Sequence, residues 1–232
     1  MKKYILPIVF ISVLLLSFTA CDNIASKKPF EPYHEHQYRD LSIHFLELGN
    51  KFTGDCVYIK YGDVDILIDA GSKQESSSTI RAYIDQYVED GKLEYVIATH
   101  AHEDHISGFN TYNSGTGIIT GILDAYEIGT IIDFPMTNSS SATYNHYQEA
   151  RTRAIQRGAF HFTALECYLE ENGAKRVYNL DEYGDAKLEI LYNYYYDHPS
   201  SNENNYSVCV KIIQGEHQYI SPGIWKKTVK TG

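Results

Sequence analysis

The sequence His100-Ala101-His102-Glu103-Asp104-His105 follows the apolar run Tyr95-Val96-Ile97-Ala98 after a single threonine, Thr99. A short apolar run of this kind is typical of a buried strand. Alternate side chains of a strand point to one face, so His100 and His102 can point the same way. If the chain then turns into a helix, the next acidic and imidazole side chains reach the other side of the same pocket. The stretch therefore predicts a metal site whose ligands are His100, His102, Asp104 and His105.

The donor types indicate which metal such a site would take. Three imidazoles and one carboxylate form a nitrogen and oxygen ligand set suited to zinc, with manganese or iron as alternatives. Two pairs of ligands can hold two ions that share a bridging hydroxide, and such a pair lowers the pKa of bound water. We therefore expect two zinc ions and a hydrolytic reaction in which Asp104 takes a catalytic part. A single histidine would more simply be structural, but four metal-type residues at one strand end are not isolated.

Composition limits the class of protein. The chain has 232 residues, 43% of them hydrophobic, and a formal net charge of −10. This length suits one α/β domain behind an export segment. An acidic surface repels phosphate backbones, which disfavours broad, sequence-independent nucleic-acid binding. A phosphodiester substrate is still compatible with this charge, because bound divalent cations would make the local electrostatic potential positive.

The N-terminus has the pattern of a targeting segment. Lys2 and Lys3 precede an apolar run from Ile5 to Phe18, too short for a typical membrane span. The following Thr19-Ala20-Cys21 resembles the end of a bacterial lipoprotein signal, which implies that Cys21 is lipidated. We expect a signal peptide over 1–21, a tether over 22–38 and the hydrolase domain over 39–232. The protein would then be exported and anchored by lipid to a bacterial membrane, in the periplasm or on the cell surface. A plain signal peptide or an uncleaved anchor is the alternative.

Hydrophobic periodicity gives a coarse secondary structure for the body of the chain. Strands are predicted first and then alternate with helices, which suits stacked sheets with outer helices. Helices are expected from Ser76 to near Gly91, over Tyr144–Gly158 and over Thr163–Asn172. Strands are expected over Leu41–Gly49, Cys56–Lys60, Val64–Ile68, Tyr95–Ala98, Ile131–Ile132, Lys187–Tyr192 and Tyr206–Ile213. Cys56 and Cys209 lie in apolar strand patterns and are expected to be buried thiols.

The His run resembles the H-x-H-x-D-H motif of the metallo-β-lactamase superfamily. The resemblance implies an αββα sandwich in which His100 and His102 bind one metal, and Asp104 and His105 bind the second. Asp69, in Ile68-Asp69-Ala70-Gly71, matches an aspartate that supports the metal-binding loop. Within the superfamily the chain is similar to the hydrolase domain of competence-type DNA-uptake channel proteins. The residues that carry this finer likeness are Phe45-Leu46-Glu47-Leu48-Gly49, Gly54-Asp55, and Asn204 to Val208. Asn205 and Ser207 stand where other branches have a third histidine.

Two ligands that this family implies are not found in the sequence. A bridging aspartate is expected in a turn after the strand at Cys209 to Ile213, and a histidine in a following strand. We therefore expect the second half of the fold to be incomplete and the domain to be truncated. If the residues from Ile220 onward are back-translated and read in the frame two nucleotides along, codon degeneracy permits Phe-Thr-Gly-Asp-Leu-Glu, which contains the expected bridging aspartate. A lost nucleotide in the gene would therefore explain the tail. Resequencing the gene would test this hypothesis. Three further histidines could otherwise complete the site: His161, His198 and His217.

Three functions remain open at this point. The first is a metal-dependent hydrolase acting through a metal-bound hydroxide on a small-molecule, nucleotide or nucleic-acid phosphodiester, or on another ester. The second is a non-catalytic, degenerate surface lipoprotein that binds metal or a partner, although no protein partner is evident. The third is a glycan-binding protein that uses the tyrosines around residues 192–196. These tyrosines could line a stacking groove, or they could simply be the two faces of a strand.

Overall fold

The computed structural model describes residues 39–49 and 54–221, which belong to one compact unit. The predicted signal peptide over 1–21, the tether over 22–38 and the lipidation at Cys21 lie outside the described residues. So does the tail from residue 222 to residue 232, and with it the predicted truncation. None of the helices in residues 39–49 and 54–221 has both the length and the hydrophobicity of a membrane-spanning segment.

Strands and helices alternate along most of the chain. The strands are β1 Leu41–Phe45, β2 Val57–Tyr61, β3 Val64–Ile68, β4 Lys92–Ile97, β5 Tyr112–Asn113, β6 Ile118–Ile119, β7 Glu127–Asp133, β8 Phe160–Thr163, β9 Val177–Asn179, β10 Ala186–Leu191, β11 Cys209–Gln214 and β12 His217–Ser221. The helices are α1 Ser76–Ile84, α2 Glu103–Ile106, α3 Ile122–Ala125, α4 Ala142–Gln156 and α5 Ala164–Leu169. Short 3-10 turns lie at Ser107–Phe109, Tyr194–Tyr196 and Glu203–Tyr206.

The larger sheet has the order β1-β2-β3-β4-β7-β8. Strands β1 to β3 form an antiparallel meander, and the turn between β2 and β3 holds Gly62 at φ 57°. Positive φ is what a tight two-residue hairpin turn requires, and glycine adopts it without strain. From β3 to β8 the strands are parallel. The carboxyl ends of β3, β4, β7 and β8 therefore lie along one edge of this sheet.

The smaller main sheet has the antiparallel order β12-β11-β10-β9. It packs on the larger sheet, as the edge-to-face contact between Tyr95 of β4 and Tyr178 of β9 shows. Helices α3 and α4 contact β7 of the larger sheet, whereas α5 contacts β8 and β10. The sequence did not predict β12, which adds a fourth strand to this sheet within the described residues. The predicted incompleteness concerns residues after Ser221, outside the described part.

A buried charge network joins α4 to the end of β7. The Asp133 side chain is fully buried and accepts hydrogen bonds from Tyr147, Arg151 and His161. Burial alone would raise the pKa of the Asp133 carboxyl, but His161 and Arg151 outweigh it and the pKa is lowered. The four side chains thus fix one end of the parallel sheet at the edge that carries the His run.

Several sequence predictions differ from the structure in their boundaries or type. The expected strand over Tyr206–Ile213 begins only at Cys209, because Glu203–Tyr206 forms a 3-10 turn. Helix α1 ends at Ile84, earlier than expected. The prediction of strand faces for the tyrosines around 192–196 was wrong, since Tyr194–Tyr196 forms a 3-10 turn. Cys56 and Cys209 are buried, as predicted.

Candidate metal centre

Three parallel strands bring acidic and imidazole side chains to the same sheet edge. Asp69 directly follows β3, Asp133 ends β7, and His100 lies just beyond β4. The backbone N–H of Asp69 donates to the carbonyl oxygen of Ile97 at 2.9 Å, which joins the ends of β3 and β4. The His run then leaves the sheet and enters helix α2 at Glu103, as the sequence predicted.

His100 and His102 form the first group of the site. His100 Nε2 lies 2.9 Å from His102 Nδ1, and the two ring centroids are 4.8 Å apart. The His100 side chain is fully buried, whereas His102 is exposed. Two ring nitrogens that face each other at this distance can share one proton, or they can turn their lone pairs to one cation.

His105 forms the second group, together with Asp69. Helix α2 carries His105 back over the strand end, so that its ring lies 4.0 Å from the ring of His100 between centroids. His105 Nδ1 lies 2.7 Å from Asp69 Oδ2, and both side chains are about 95% buried, with 5% and 4% exposed. This carboxylate also accepts from Thr99, through the backbone N–H at 2.8 Å and the hydroxyl at 2.7 Å. Asp69 thereby fixes the orientation of the His105 ring.

The Nε2 atom of His105 faces two further carboxylates. Asp104 Oδ2 and Asp55 Oδ2 each lie 3.9 Å from it. Asp104 was predicted as a ligand from the sequence, whereas Asp55 was noted only as part of a family likeness. The signal that could have indicated Asp55 is the preceding Gly54, whose φ of +116° marks a special backbone position just before β2.

Burial and charge act in opposite directions on the two buried imidazoles. Burial lowers the pKa of His100 to about 3, and His105 and His102 add to this while Asp69 opposes it. Burial would also lower the pKa of His105, but the charges of Asp69, Asp104 and Asp55 outweigh it and the pKa is raised. His100 is therefore neutral at physiological pH, which is the protonation state of a metal ligand.

The loop between β10 and β11 reaches the buried side of His100. Ser207 Oγ lies 3.3 Å from His100 Nδ1, and the backbone N–H of Val208 donates to the carbonyl oxygen of Thr99 at 2.8 Å. Asn205 does not point the same way, because its Nδ2 donates to Ser200 Oγ at 2.8 Å. The role predicted for Asn205 at the site stays a prediction. Its neighbour Asn204 instead contacts His100, a pairing that the sequence did not indicate.

A cavity of about 250 Å³ opens beside the histidines. It is lined by His100 and His105, by Cys56 and Asp55 at the start of β2, and by Ser221 at the end of β12. Strand β12 therefore contributes a wall of the candidate site, which no sequence pattern indicated.

The other histidines proposed from the sequence have different surroundings. His161 pairs with Asp133, and His198 stacks on Tyr194 with ring centroids 3.9 Å apart. His217 is exposed at the start of β12. Among residues 39–49 and 54–221, no three His, Cys, Asp or Glu side chains are already drawn together as a closed metal site.

The chemistry of the donors nevertheless fits a divalent cation. His100 Nε2 and His102 Nδ1 point at each other, and Asp69 occupies the other nitrogen of His105, so that Nε2 can act as a ligand. Two exposed carboxylates stand beside that atom. Imidazole nitrogens with carboxylate oxygens suit zinc, manganese or iron. The residues that would hold metal are His100 and His102 on one side, and His105 and Asp104 on the other.

Residues 49–126 match the family model described as the metallo-beta-lactamase superfamily. This range contains Asp55, Asp69 and the whole His run. No curated protein matches the sequence.

Solved structures give a weaker likeness. The chain is similar to the metallo-beta-lactamase fold protein YhfI from Bacillus subtilis at 14% identity, over 78% of this chain and 61% of that one, with a TM-score of 0.40. It is similar to a metallo-beta-lactamase from Cronobacter sakazakii at 15% identity, over 78% and 60%, with a TM-score of 0.44. A probable metal-dependent hydrolase from Staphylococcus aureus is 13% identical, over 79% and 73%, with a TM-score of 0.43.

This chain spans only 61% and 60% of the length of the first two of these structures. The family match and the two packed sheets agree with what the sequence predicted. The chain thus has a mixed α/β fold of the metallo-β-lactamase type, with the family pattern itself in residues 49–126.

Proposed function

We propose that this chain is a metal-dependent hydrolase. The observation that carries the proposal is the meeting of two imidazole groups at one sheet edge. His100 Nε2 and His102 Nδ1 face each other at 2.9 Å, and Asp69 holds the adjacent His105 by its Nδ1 atom. A purely structural histidine cluster would not need a buried carboxylate that directs one ring nitrogen outward. The family match over residues 49–126 supports the same reaction class.

The residues of the candidate site would have different roles in binding metal and substrate. Divalent metal supplies Lewis-acid chemistry and lowers the pKa of bound water. Neutral His100, together with His102, would offer two nitrogen ligands from the end of β4. His105 would offer Nε2, because Asp69 and Thr99 fix its ring from behind. Asp104, with a side chain that is 58% exposed, stands beside that atom and faces solvent, from which substrate would arrive.

The substrate we propose is a phosphodiester, or another ester. The chain carries a net charge of −10, so an anionic substrate would need cations in the site to approach. The sequence likeness to competence-type DNA-uptake proteins favours a phosphodiester. A β-lactam is less favoured, because Asn205 and Ser207 stand where those enzymes have a third histidine. We further propose that the protein is exported and held to a membrane by lipid on Cys21.

A second candidate function is a surface lipoprotein that binds metal or a partner without catalysis. One observation favours it: the carboxylates beside His105 Nε2 stand 3.9 Å from that atom, so in the described residues no three metal-type side chains form a closed site without side-chain rotation. A protein with this function would bind metal weakly and would not turn over an ester.

The deciding experiment measures metal content and hydrolysis on the same preparation. The protein is produced from residue 22 onward, its bound metal is counted by elemental mass spectrometry, and hydrolysis of a chromogenic phosphodiester is followed with and without chelator. Bound metal together with chelator-sensitive turnover, both lost in His102→Ala, would support the hydrolase, because His102 is exposed and its replacement should leave the fold intact. His146→Ala is the matched control, since His146 is exposed on α4 and lies outside the site. Metal binding without turnover would favour the second candidate.

A further inference from the structure

A carboxylate outside the His run stands at the candidate metal centre. Asp55 precedes β2, yet its Oδ2 atom lies 3.9 Å from His105 Nε2. The Oδ2 atom of Asp104 lies at the same distance from His105 Nε2. A separation of 3.9 Å is too long for a hydrogen bond. Both carboxylates are mostly exposed, with side-chain exposures of 72% for Asp55 and 58% for Asp104. An ion pair this exposed contributes little to folding stability, so stability does not explain the placement.

The backbone around Asp55 is fixed onto both other segments of the site. The N–H of Asp55 donates to the carbonyl oxygen of Asp104 at 3.1 Å, and its own carbonyl oxygen accepts from Gly71 at 3.0 Å. Gly54 makes this approach feasible, because a Cβ there would collide with the Asp104 carbonyl oxygen. Three loops, which carry Asp55, Asp69 and Asp104, are thereby joined by main-chain hydrogen bonds. The Asp55 carboxylate is held near His105 by this scaffold and only its side-chain torsions remain free.

His105 supplies a second, independent sign that a ligand binds here. Its side chain is only 5% exposed, and Nδ1 is engaged by Asp69. Its Nε2 atom makes no hydrogen bond to any residue of the described part, since the hydrogen bonds of the ring all involve Nδ1. Nε2 lies 3.9 Å from each of the two exposed carboxylates, and His105 lines the cavity beside them. An imidazole nitrogen and two carboxylate oxygens form a donor set for zinc or manganese.

We propose that Asp55 is a ligand of the metal position formed by His105 and Asp104. The inference rests on the proposed function, since it adds a residue to the same centre. Small side-chain rotations would bring the Asp55 and Asp104 oxygens together around a cation, whereas the buried His105 stays fixed by Asp69. Asp55 adds a second negative charge and a third donor, from a segment that neither the strand end nor helix α2 provides.

The test is a metal titration of metal-free protein, produced from residue 22 onward, with Zn²⁺ or Mn²⁺ as the probe. Binding is measured by calorimetry, and the bound metal is counted by elemental mass spectrometry after dialysis. Asp55→Asn is expected to lose one bound ion, or to bind it at least about tenfold more weakly, and to keep the ion at His100 and His102. Asp55→Glu retains a carboxylate and is expected to recover part of the affinity. Asp63→Asn is the matched control, because Asp63 is 93% exposed and lies at the opposite end of β3 from Asp69.

The outcomes separate this inference from the proposed function. If the unaltered protein binds metal and Asp55→Asn binds it with unchanged affinity and number, the role of Asp55 is refuted while the hydrolase proposal stands. If the unaltered protein binds no metal, the proposed function fails and the inference fails with it. Thermal unfolding of metal-free Asp55→Asn is expected to match that of the unaltered protein. A lower unfolding temperature would show that Asp55 is a structural residue and would overturn the inference.

Discussion

Replacing Asp69 by asparagine is the perturbation that tests how the centre is organised. Asparagine has nearly the same shape and tolerates the left-handed backbone of this position, where φ is 60°. One side-chain oxygen can still accept from the Thr99 N–H. In the amide orientation that preserves the bond from the Thr99 N–H, the second oxygen is replaced by an NH₂ group. That oxygen is the one that lies 2.7 Å from His105 Nδ1, so a donor now faces this ring nitrogen. His105 then has to turn its Nδ1 lone pair toward the amide, and its proton moves to Nε2.

Asp69→Asn is expected to lower both the stability of the protein and its affinity for metal. The protein loses a buried, charge-assisted hydrogen bond, which contributes about 1.5–3 kcal/mol. For a chain of this length a loss of 2 kcal/mol lowers the unfolding temperature by about 4–8 °C. In addition, a proton on Nε2 removes the lone pair that would bind metal, so affinity at the position of His105 is expected to fall by about 10–100-fold.

The assay is urea and thermal unfolding of metal-free protein, followed by metal titration of the same sample. Asp63→Asn serves as the control, since it removes a carboxylate that is 93% exposed at a hairpin turn. If Asp69→Asn is as stable as the control and binds the same number of ions, Asp69 neither stabilises the fold nor orients His105 for metal binding. Loss of stability with full metal binding would mean that Asp69 supports the fold and does not direct His105.

Three further substitutions probe the surrounding structure, each with its own measurement. Gly54→Ala is expected to lower the unfolding free energy by about 1–3 kcal/mol in chemical unfolding and to weaken metal binding. Gly91→Ala is the control: Gly91 also has a positive φ, but a Cβ there would meet no neighbouring atom, so metal binding should be unchanged. Asp133→Asn is expected to cost about 3–5 kcal/mol at neutral pH, because it breaks a buried ion pair. The pKa of the Asp133 carboxyl is lower in the folded than in the unfolded state. Its contribution to stability is therefore present above the unfolded pKa of about 3.9 and is lost as pH falls through the folded pKa. The unfolding free energy of Asp133→Asn should accordingly depend less on pH below about 5 than that of the unaltered protein. Glu203→Gln should cost about 1–3 kcal/mol in urea unfolding, because its carboxylate accepts two bonds of 2.6 and 2.7 Å from the loop at residues 137–138, and an unchanged midpoint would contradict this.

Local patterns allowed the correct prediction of the elements whose cause is local. The strand at Val64–Ile68 was predicted with its observed bounds, and the helix predicted over Tyr144–Gly158 lies at Ala142–Gln156, where the Ser141 side chain caps its first turn. The entry of the His run into a helix also follows from the chain itself. The fold class then followed from the strand order together with the family likeness.

What could not be predicted depends on pairing between distant segments. Strand β12 begins with His217-Gln218-Tyr219, a polar start with no clear alternation, and it forms because β11 offers a partner edge. The turn at Tyr194–Tyr196 is held by Asn193, whose side chain accepts from Tyr195 and donates to two backbone carbonyl groups of the following loop. Strand propensity of tyrosine is overridden there by these hydrogen bonds.

The same distinction explains which candidate site residues the sequence indicated. The candidate ligands of the His run are neighbours in the chain, so they are visible as a motif. Asp55 comes close to His105 only because Gly54 allows two backbones to meet. Asn204, whose side chain interacts with His100, lies in the 3-10 turn at Glu203–Tyr206, and no sequence pattern indicated that turn.

The candidate centre consists of a buried half and an exposed half, and this division has a consequence for mutagenesis. His100, His105 and Asp69 are buried and are joined to the sheet ends by short hydrogen bonds, so they form part of the folded core. His102, Asp104 and Asp55 are exposed, and their side chains add little to stability. Substitutions in the buried half should therefore lower both unfolding free energy and metal affinity. Substitutions in the exposed half should lower metal affinity alone, and a protein in which both halves affected only stability would not be a metal-dependent enzyme.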